Sequence, residues 1–210
     1  MSRWGLLLAA LWVGGLAGCI SAGHHRAGPP PPLGHATPQT GTTQEAPEEV
    51  HKLWQQAVQG DGEAQYRLGI MSHIGEGVPQ NEADAVQWLQ RAATQGHPEA
   101  QRFLGRMYLS GQGVPRSEAE AAYWYRRAAD QGDPEVQWQL GLKYLHGLGV
   151  PQDVVQAYFW LSLAAAHLPS GTLRDNAARA CHRAAQHMTP AQWAQAQALV
   201  RQWQPRTAPE

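Results

Sequence analysis

The sequence has little lysine and no basic cluster. Its 210 residues include two lysines, Lys52 and Lys143, and 16 basic residues stand against 17 acidic ones, a formal net charge of −1. A nucleic-acid-binding surface needs a clustered excess of lysine and arginine, so we expect no nucleic-acid partner. Two cysteines, Cys19 and Cys181, are too few for a disulfide framework. The hydrophobic share of 43% is still sufficient for a buried core in one or two domains.

The first 18 residues have the pattern of a secretory leader. A basic start precedes an apolar stretch over 4–16, which is shorter than the ~20 residues that a membrane-spanning helix needs. The stretch ends in Leu16-Ala17-Gly18-Cys19, which resembles the lipobox of bacterial lipoproteins. That resemblance implies cleavage before Cys19 and attachment of lipid to its sulfur. The alternative is an ordinary secretory signal with an incidental cysteine.

The residues that follow Cys19 predict a tether. Ile20 stands where an aspartate in lipoproteins favours retention in the inner membrane, so the resemblance implies an anchor on the periplasmic face of the outer membrane. Residues 20–46 are rich in Gly, Pro, Thr and Ala and lack apolar periodicity, which is typical of linkers. The prolines at 29–32 stiffen such a linker, and a partner that reads proline-rich segments is the alternative.

A repeat of 36 residues dominates the remaining sequence. Each copy has a Leu-Gly pair, two loop glycines, a Val-Pro pair, a tryptophan and an Ala-Ala pair at matching positions, with no insertion between copies. The tryptophans are Trp88, Trp124 and Trp160. The Leu-Gly leucines are Leu68, Leu104 and Leu140. Such regularity predicts a stack of similar structural units.

Each copy predicts two helices. The caps expected for the first helices are Asp61, His97 and Asp133, and those for the second are Asn81, Ser117 and Asp153. The glycines expected to end the first helices are Gly75, Gly111 and Gly147, because glycine accepts the left-handed conformation without strain. Glycines also lie inside the first helices, where each costs about 1 kcal/mol against alanine. We expect the repeated tryptophan to pack against that bare backbone.

The second copy reads L-G-x-M-Y-x-x-G-x-G-V-P and then A-x-x-W-x-x-x-A-A-x-Q-G, which closely resembles Sel1-like repeats. These are helix pairs related to tetratricopeptide repeats. The resemblance implies an all-α fold, a right-handed α-solenoid of helix-turn-helix units. We assign an N-terminal capping helix to 47–60, repeats to 61–96, 97–132 and 133–168, a C-terminal capping helix pair to 169–204, and a tail to 205–210.

Motifs that carry catalysis or bind metal are missing from the sequence. It contains no Ser-x-x-Lys, G-x-S-x-G, H-E-x-x-H or C-x-x-C, so we predict no catalytic residue, metal or cofactor. Some cysteine-rich relatives have been proposed to bind penicillin, but no cysteine lies in any repeat here. Cys181, among alanines, is predicted to be a buried, inert thiol.

Two rows of residues vary between copies and are the candidate partner-binding strip. The first row is Tyr66, Arg102 and Trp138, and the second is Ile70, Arg106 and Leu142. First helices line the concave face of stacked helix pairs, and Arg and aromatic side chains are enriched at binding hot spots. The alternative is that Ile70, Trp138 and Leu142 seal contacts between repeats.

The sequence therefore predicts a monomeric, lipid-anchored adaptor that binds a protein or peptide partner. Two other classes stay open at this point. One is a protein that binds peptidoglycan or carbohydrate of the cell wall, and the other is a hydrolase of β-lactams or muropeptides.

Overall fold

A computed structural model describes residues 48–206. The leader, Cys19, the tether and residues 207–210 lie outside them. The described part contains nine α-helices and no strand. They are α1 (Glu48–Val58), α2 (Gly62–Ile74), α3 (Glu82–Thr94), α4 (Pro98–Ser110), α5 (Glu118–Asp130), α6 (Pro134–His146), α7 (Val154–His167), α8 (Thr172–Gln186) and α9 (Pro190–Gln202). No helix in this part is both long and apolar enough to cross a membrane.

The helix ends confirm the predicted caps. The side chains of Asp61, His97 and Asp133 accept hydrogen bonds from the first turns of α2, α4 and α6. Asn81, Ser117 and Asp153 do the same at α3, α5 and α7. The glycines that end α2, α4 and α6 have φ of 78°, 75° and 69°, which is the left-handed conformation expected of them.

Consecutive helices pack against one another, so that α2–α3, α4–α5 and α6–α7 form three successive pairs and α1 covers the first of them. The seams between the helices are built from small residues. Ala92, Ala93, Ala100, Ala128 and Ala129 are all fully buried. Small side chains let the helix backbones approach closely, so the array is the predicted all-α solenoid of helix pairs.

The residue that packs against the helical glycines differs from the predicted one. The positions a Cβ would occupy on Gly69 and Gly141 lie 2.6 Å from the Cγ atoms of Leu89 and Leu161, and a Cβ on Gly105 would overlap the Tyr125 ring. Each contacting residue directly follows a repeated tryptophan, so the tryptophan prediction is wrong by one position. One residue turns a helix by about 100°, which is enough to exchange one buried neighbour for another.

A second glycine contact joins each repeat to the one before it. Gly149 has φ of 73°, and a Cβ there would overlap the backbone carbonyl of Glu118, at the start of α5. Nearby, Lys143 is 4% exposed and donates to the Glu118 carboxylate across 2.6 Å. This hydrogen bond lowers the pKa of Glu118 below its ordinary value. The third repeat is thus fastened to the second by a turn and an ion pair.

Buried glutamines form a second connection between repeats. Gln101 Nε2 donates to the Ala93 carbonyl across 3.0 Å, and Gln131 Nε2 donates to Gln101 Oε1 and to the Gly96 carbonyl across 2.8 Å each. Gln65 and Gln95 form the corresponding bonds in the first repeat, where Gln65 Nε2 donates to the Ala57 carbonyl and Gln95 Nε2 donates to Gln65 Oε1. The Ala57 and Ala93 carbonyls also accept the backbone N–H groups of Gly60 and Gly96, so the glutamines add a second donor at the ends of these helices.

The C-terminal helices both pack against α7. Tyr158 on α7 contacts the Trp193 ring of α9 in a T-shaped arrangement with centroids 4.9 Å apart. After α9 the chain returns to the second repeat, where the Arg206 backbone N–H donates to the Asp130 carbonyl across 2.8 Å. The α9 helix thus lies beside the row of second helices, while α8 follows the row of first helices.

Candidate partner-binding site

The six residues of the predicted strip lie in three separate surroundings. Tyr66 and Ile70, on α2, are half-buried and pack against the core that α3 and α4 share. The Tyr66 ring stacks on His97 with centroids 4.7 Å apart. Burial raises the pKa of Tyr66 above its ordinary value. These two side chains therefore join the first repeat to the second and line none of the grooves described below.

Arg102 and Arg106 line a groove between α4 and α6, which we call the arginine groove. Its volume is about 430 Å³, and it is lined by Arg102, Arg106, Leu109, Ser110, Tyr125, Glu135, Val136 and Gln139. Tyr125 and Val136 are 3% and 1% exposed and form an apolar floor. Burial raises the pKa of Tyr125 to about 12, so its hydroxyl stays protonated across the physiological range.

The two arginines of this groove differ in their partners. The Arg102 guanidinium lies 3.7 Å from the carboxylate of Asp133 and 3.4 Å from that of Glu135, both at the start of α6. Arg106 is exposed and has no described carboxylate within ion-pair distance, and its guanidinium lies 5.4 Å from the centre of the Phe103 ring. Arg106 is therefore a cation held on an aromatic face and open to an outside anion.

Trp138 and Leu142 line a second groove, between α6 and α8, which we call the tryptophan groove. Its volume is about 870 Å³, and the residues that line it are Trp138, Leu142, Asn176, Ala178, Arg179, Ala180, His182, Arg183 and Gln186. Both side chains are half-buried, and Trp138 packs against the cluster of Leu168 and Ala177. Trp138 thus combines a groove-lining role with packing against the C-terminal end.

Sequence reasoning missed the contribution of α8. Its residues Arg179 and Arg183 line the tryptophan groove, but the 36-residue register fails after His167, so no alignment of copies pointed to them. Predicting these two arginines would have required knowing that α8 lies beside α6. The buried Gln65, Gln101 and Gln137 were also missed, although their spacing of 36 residues was a usable signal.

Two further features of the described residues concern thiol and metal chemistry. Cys181 is partly buried, and burial raises the pKa of its thiol to about 11, so it carries very little thiolate at neutral pH. Residues 48–206 contain no group of three or more His, Cys, Asp or Glu side chains placed to hold a metal ion.

Known proteins resemble this chain across the repeats. The Sel1 repeat family model matches residues 62–97, 98–133 and 134–167. A Sel1 repeat protein from Oxalobacter formigenes is 37% identical, with a TM-score of 0.58 over 65% of this chain and 98% of that one. The protective antigen c5321 of uropathogenic Escherichia coli strains, which displays an SLR fold, is 29% identical, with a TM-score of 0.51.

The match to c5321 covers 73% of this chain but 40% of that protein. A comparison with curated proteins found no match. The three consecutive family matches span half of the sequence, and the helix pairs of α2 to α7 coincide with them. The chain belongs to the Sel1 repeat family, whose members generally mediate protein–protein interactions through a non-catalytic helical scaffold.

Proposed function

We propose that this chain is a lipid-anchored adaptor of the cell envelope that holds a protein or peptide partner on its first helices. The observation that carries the binding half of the proposal is the arginine groove. It places the unpaired Arg106 beside an apolar floor, which is a combination enriched at interface hot spots.

The anchoring half of the proposal rests on sequence. Leu16-Ala17-Gly18-Cys19 supplies the lipobox, and Ile20 favours sorting to the outer membrane. A 27-residue tether, 20–46, has a root-mean-square span of roughly 30 Å, so an adaptor attached at Cys19 would reach partners well beyond the membrane surface. We propose that the folded part faces the periplasm from the outer membrane.

The anchor is tested by fractionating cells that produce Cys19→Ala. We expect this variant to leave the membrane fraction and appear in the soluble periplasmic extract, because it cannot accept a lipid on sulfur. Cys181→Ala is the matched control, since it removes the other cysteine and keeps the lipobox. Membrane retention of the Cys19→Ala protein would refute the lipid anchor.

The binding surface is tested by crosslinking in cells followed by mass spectrometry. We expect Arg106→Glu to lose the partners that the unmodified chain captures, with its melting temperature lowered only slightly, because the exposed Arg106 makes no described ion pair and loses only its contact with the Phe103 ring. Arg201→Glu is the control, as Arg201 is an exposed arginine on α9 outside both grooves. We avoid changing Trp138, because its packing against α8 would confound binding with stability.

Retained capture by Arg106→Glu would exclude the arginine groove as the partner site. The cell-wall alternative is tested by measuring whether the unmodified chain and the Arg106→Glu variant bind to purified sacculi. Binding to sacculi that is independent of Arg106 would favour that alternative over the adaptor.

A further inference from the structure

The two grooves carry positive charge that the composition of the chain does not predict. Their linings contain four arginines, Arg102, Arg106, Arg179 and Arg183, and one carboxylate, Glu135. The whole chain has 16 basic and 17 acidic residues, so an even distribution would place equal numbers there. The face formed by α4, α6 and α8 is thus basic within a chain of net charge −1.

Three of these four arginines have no ionic partner among the described residues. The ion pairs of residues 48–206 include Arg102 but not Arg106, Arg179 or Arg183. Arg179 donates to the neutral amide of Asn176. Outside the grooves, Arg116 and Arg126 lie beside the carboxylates of Glu118 and Asp130, whereas Arg201 has no described ionic partner. Arg106, Arg179 and Arg183 are therefore available to pair with carboxylates from outside the chain.

An apolar surface separates the two arginine pairs. Trp138 and Leu142, on α6, lie between the arginines of α4 and those of α8. Helices that pack directly lie about 10 Å apart, and α4, α6 and α8 contact one another sparsely, so the distance from α4 to α8 across α6 is at least roughly 20 Å. An extended peptide of about six residues covers that distance. The order along the face is therefore basic, apolar, basic.

We propose that the partner of this face is an acidic peptide segment with a large apolar side chain near its middle. Its flanking carboxylates bind Arg106 on one side and Arg179 and Arg183 on the other, and its apolar residue contacts Trp138 and Leu142. This inference rests on the proposed function and specifies the chemistry of the partner. Complementary charge at these positions also increases the association rate and excludes basic segments.

A peptide is favoured over a phosphate polyanion by the floors of the grooves. The half-buried Trp138 and Leu142 present apolar surface beside the arginines, and a phosphate chain has no group that gains from contact with it. Side chains of a peptide do gain from it, by about 25 cal/mol per Å² of apolar surface removed from water.

The test is selection from a random displayed-peptide library against the purified full-length chain, followed by fluorescence anisotropy of the most enriched peptide. We expect enrichment of Asp and Glu around a central Leu, Phe or Trp. Affinity should fall about tenfold for Arg106→Glu and again for Arg183→Glu, and it should decrease with added salt. Arg106→Lys should restore part of the affinity, and Arg201→Glu should leave it unchanged.

Thermal melts of each variant separate loss of binding from loss of folding. Enrichment of neutral or basic peptides, or no selectable peptide at all, would overturn the acidic-segment inference. Binding to phosphatidylglycerol vesicles that the selected peptide cannot displace would overturn it as well. If capture in cells still depends on Arg106 in those cases, the adaptor function holds and the assignment of its partner is what fails.

Discussion

The second and third repeats differ at one buried glutamine. In the second repeat Gln101 uses both ends of its amide, because Gln131 donates to its oxygen. In the third repeat Gln137 donates to the Ala129 carbonyl across 3.2 Å, but its Oε1 is buried without a partner. The position that corresponds to Gln131 is His167, whose ring bonds to the Leu163 carbonyl of its own helix.

This difference shows at which helix the repeated pattern of glutamine hydrogen bonds ends. α3 and α5 end before Gln95 and Gln131, whose side chains turn inward, whereas α7 continues through His167. The helix seams of the third repeat are still intact, since Leu161 packs on Gly141 as Tyr125 packs on Gly105. The glutamine hydrogen bonds therefore end at α6, whereas the packing of a large side chain on a helical glycine continues to α7.

The largest expected effect comes from breaking the junction of the third repeat with the second. Gly149→Ala forces a Cβ into the Glu118 carbonyl in a left-handed turn, and we expect a loss of about 4 kcal/mol in the free energy of unfolding. Gly60→Ala is the matched control, because Gly60 has φ of 102° and nothing within 4 Å of its Cβ position. Chemical denaturation measures both, and equal losses would contradict the contact.

An intermediate effect is expected from removing each glutamine in turn. Gln101→Leu removes the second donor to the Ala93 carbonyl and leaves one donor of Gln131 without a partner, so we expect it to lose about 2 kcal/mol. Gln137→Leu removes the second donor to the Ala129 carbonyl together with an unpaired oxygen, so its loss should be about 1 kcal/mol smaller. Denaturant midpoints of the two variants give the comparison, and a larger loss at Gln137 would show that its oxygen has a partner in solution.

The smallest effect is a gain. His167→Gln places an amide where the first two repeats have one, so that it donates to the free Gln137 oxygen. We expect the melting temperature to rise, with about 1 kcal/mol of added stability. The same change in a Gln137→Leu background is the control and should add nothing. A gain in both backgrounds would have to come from helix propensity at that position.

Sequence alone was sufficient for the helices, their caps and the glycine stops, because these depend on local chemistry that recurs every 36 residues. It was insufficient for the residue that faces Gly105, since the positions of Trp124 and Tyr125 differ by one step of the helix. It was also insufficient for the second groove. The strip was chosen by variation among copies, and α8 with Arg179 and Arg183 has no copy to compare.

The glycine turn at Gly149 has a consequence for how such an array changes in length. The turns of the second and third copies each contact the start of the preceding copy's second helix, Gly113 at Glu82 and Gly149 at Glu118. Adding or excising 36 residues preserves both halves of this joint. An insertion or deletion of one or two residues would move the glycine turn away from the carbonyl that it contacts. Whole 36-residue units can therefore be added or removed, but the length of a single unit is fixed.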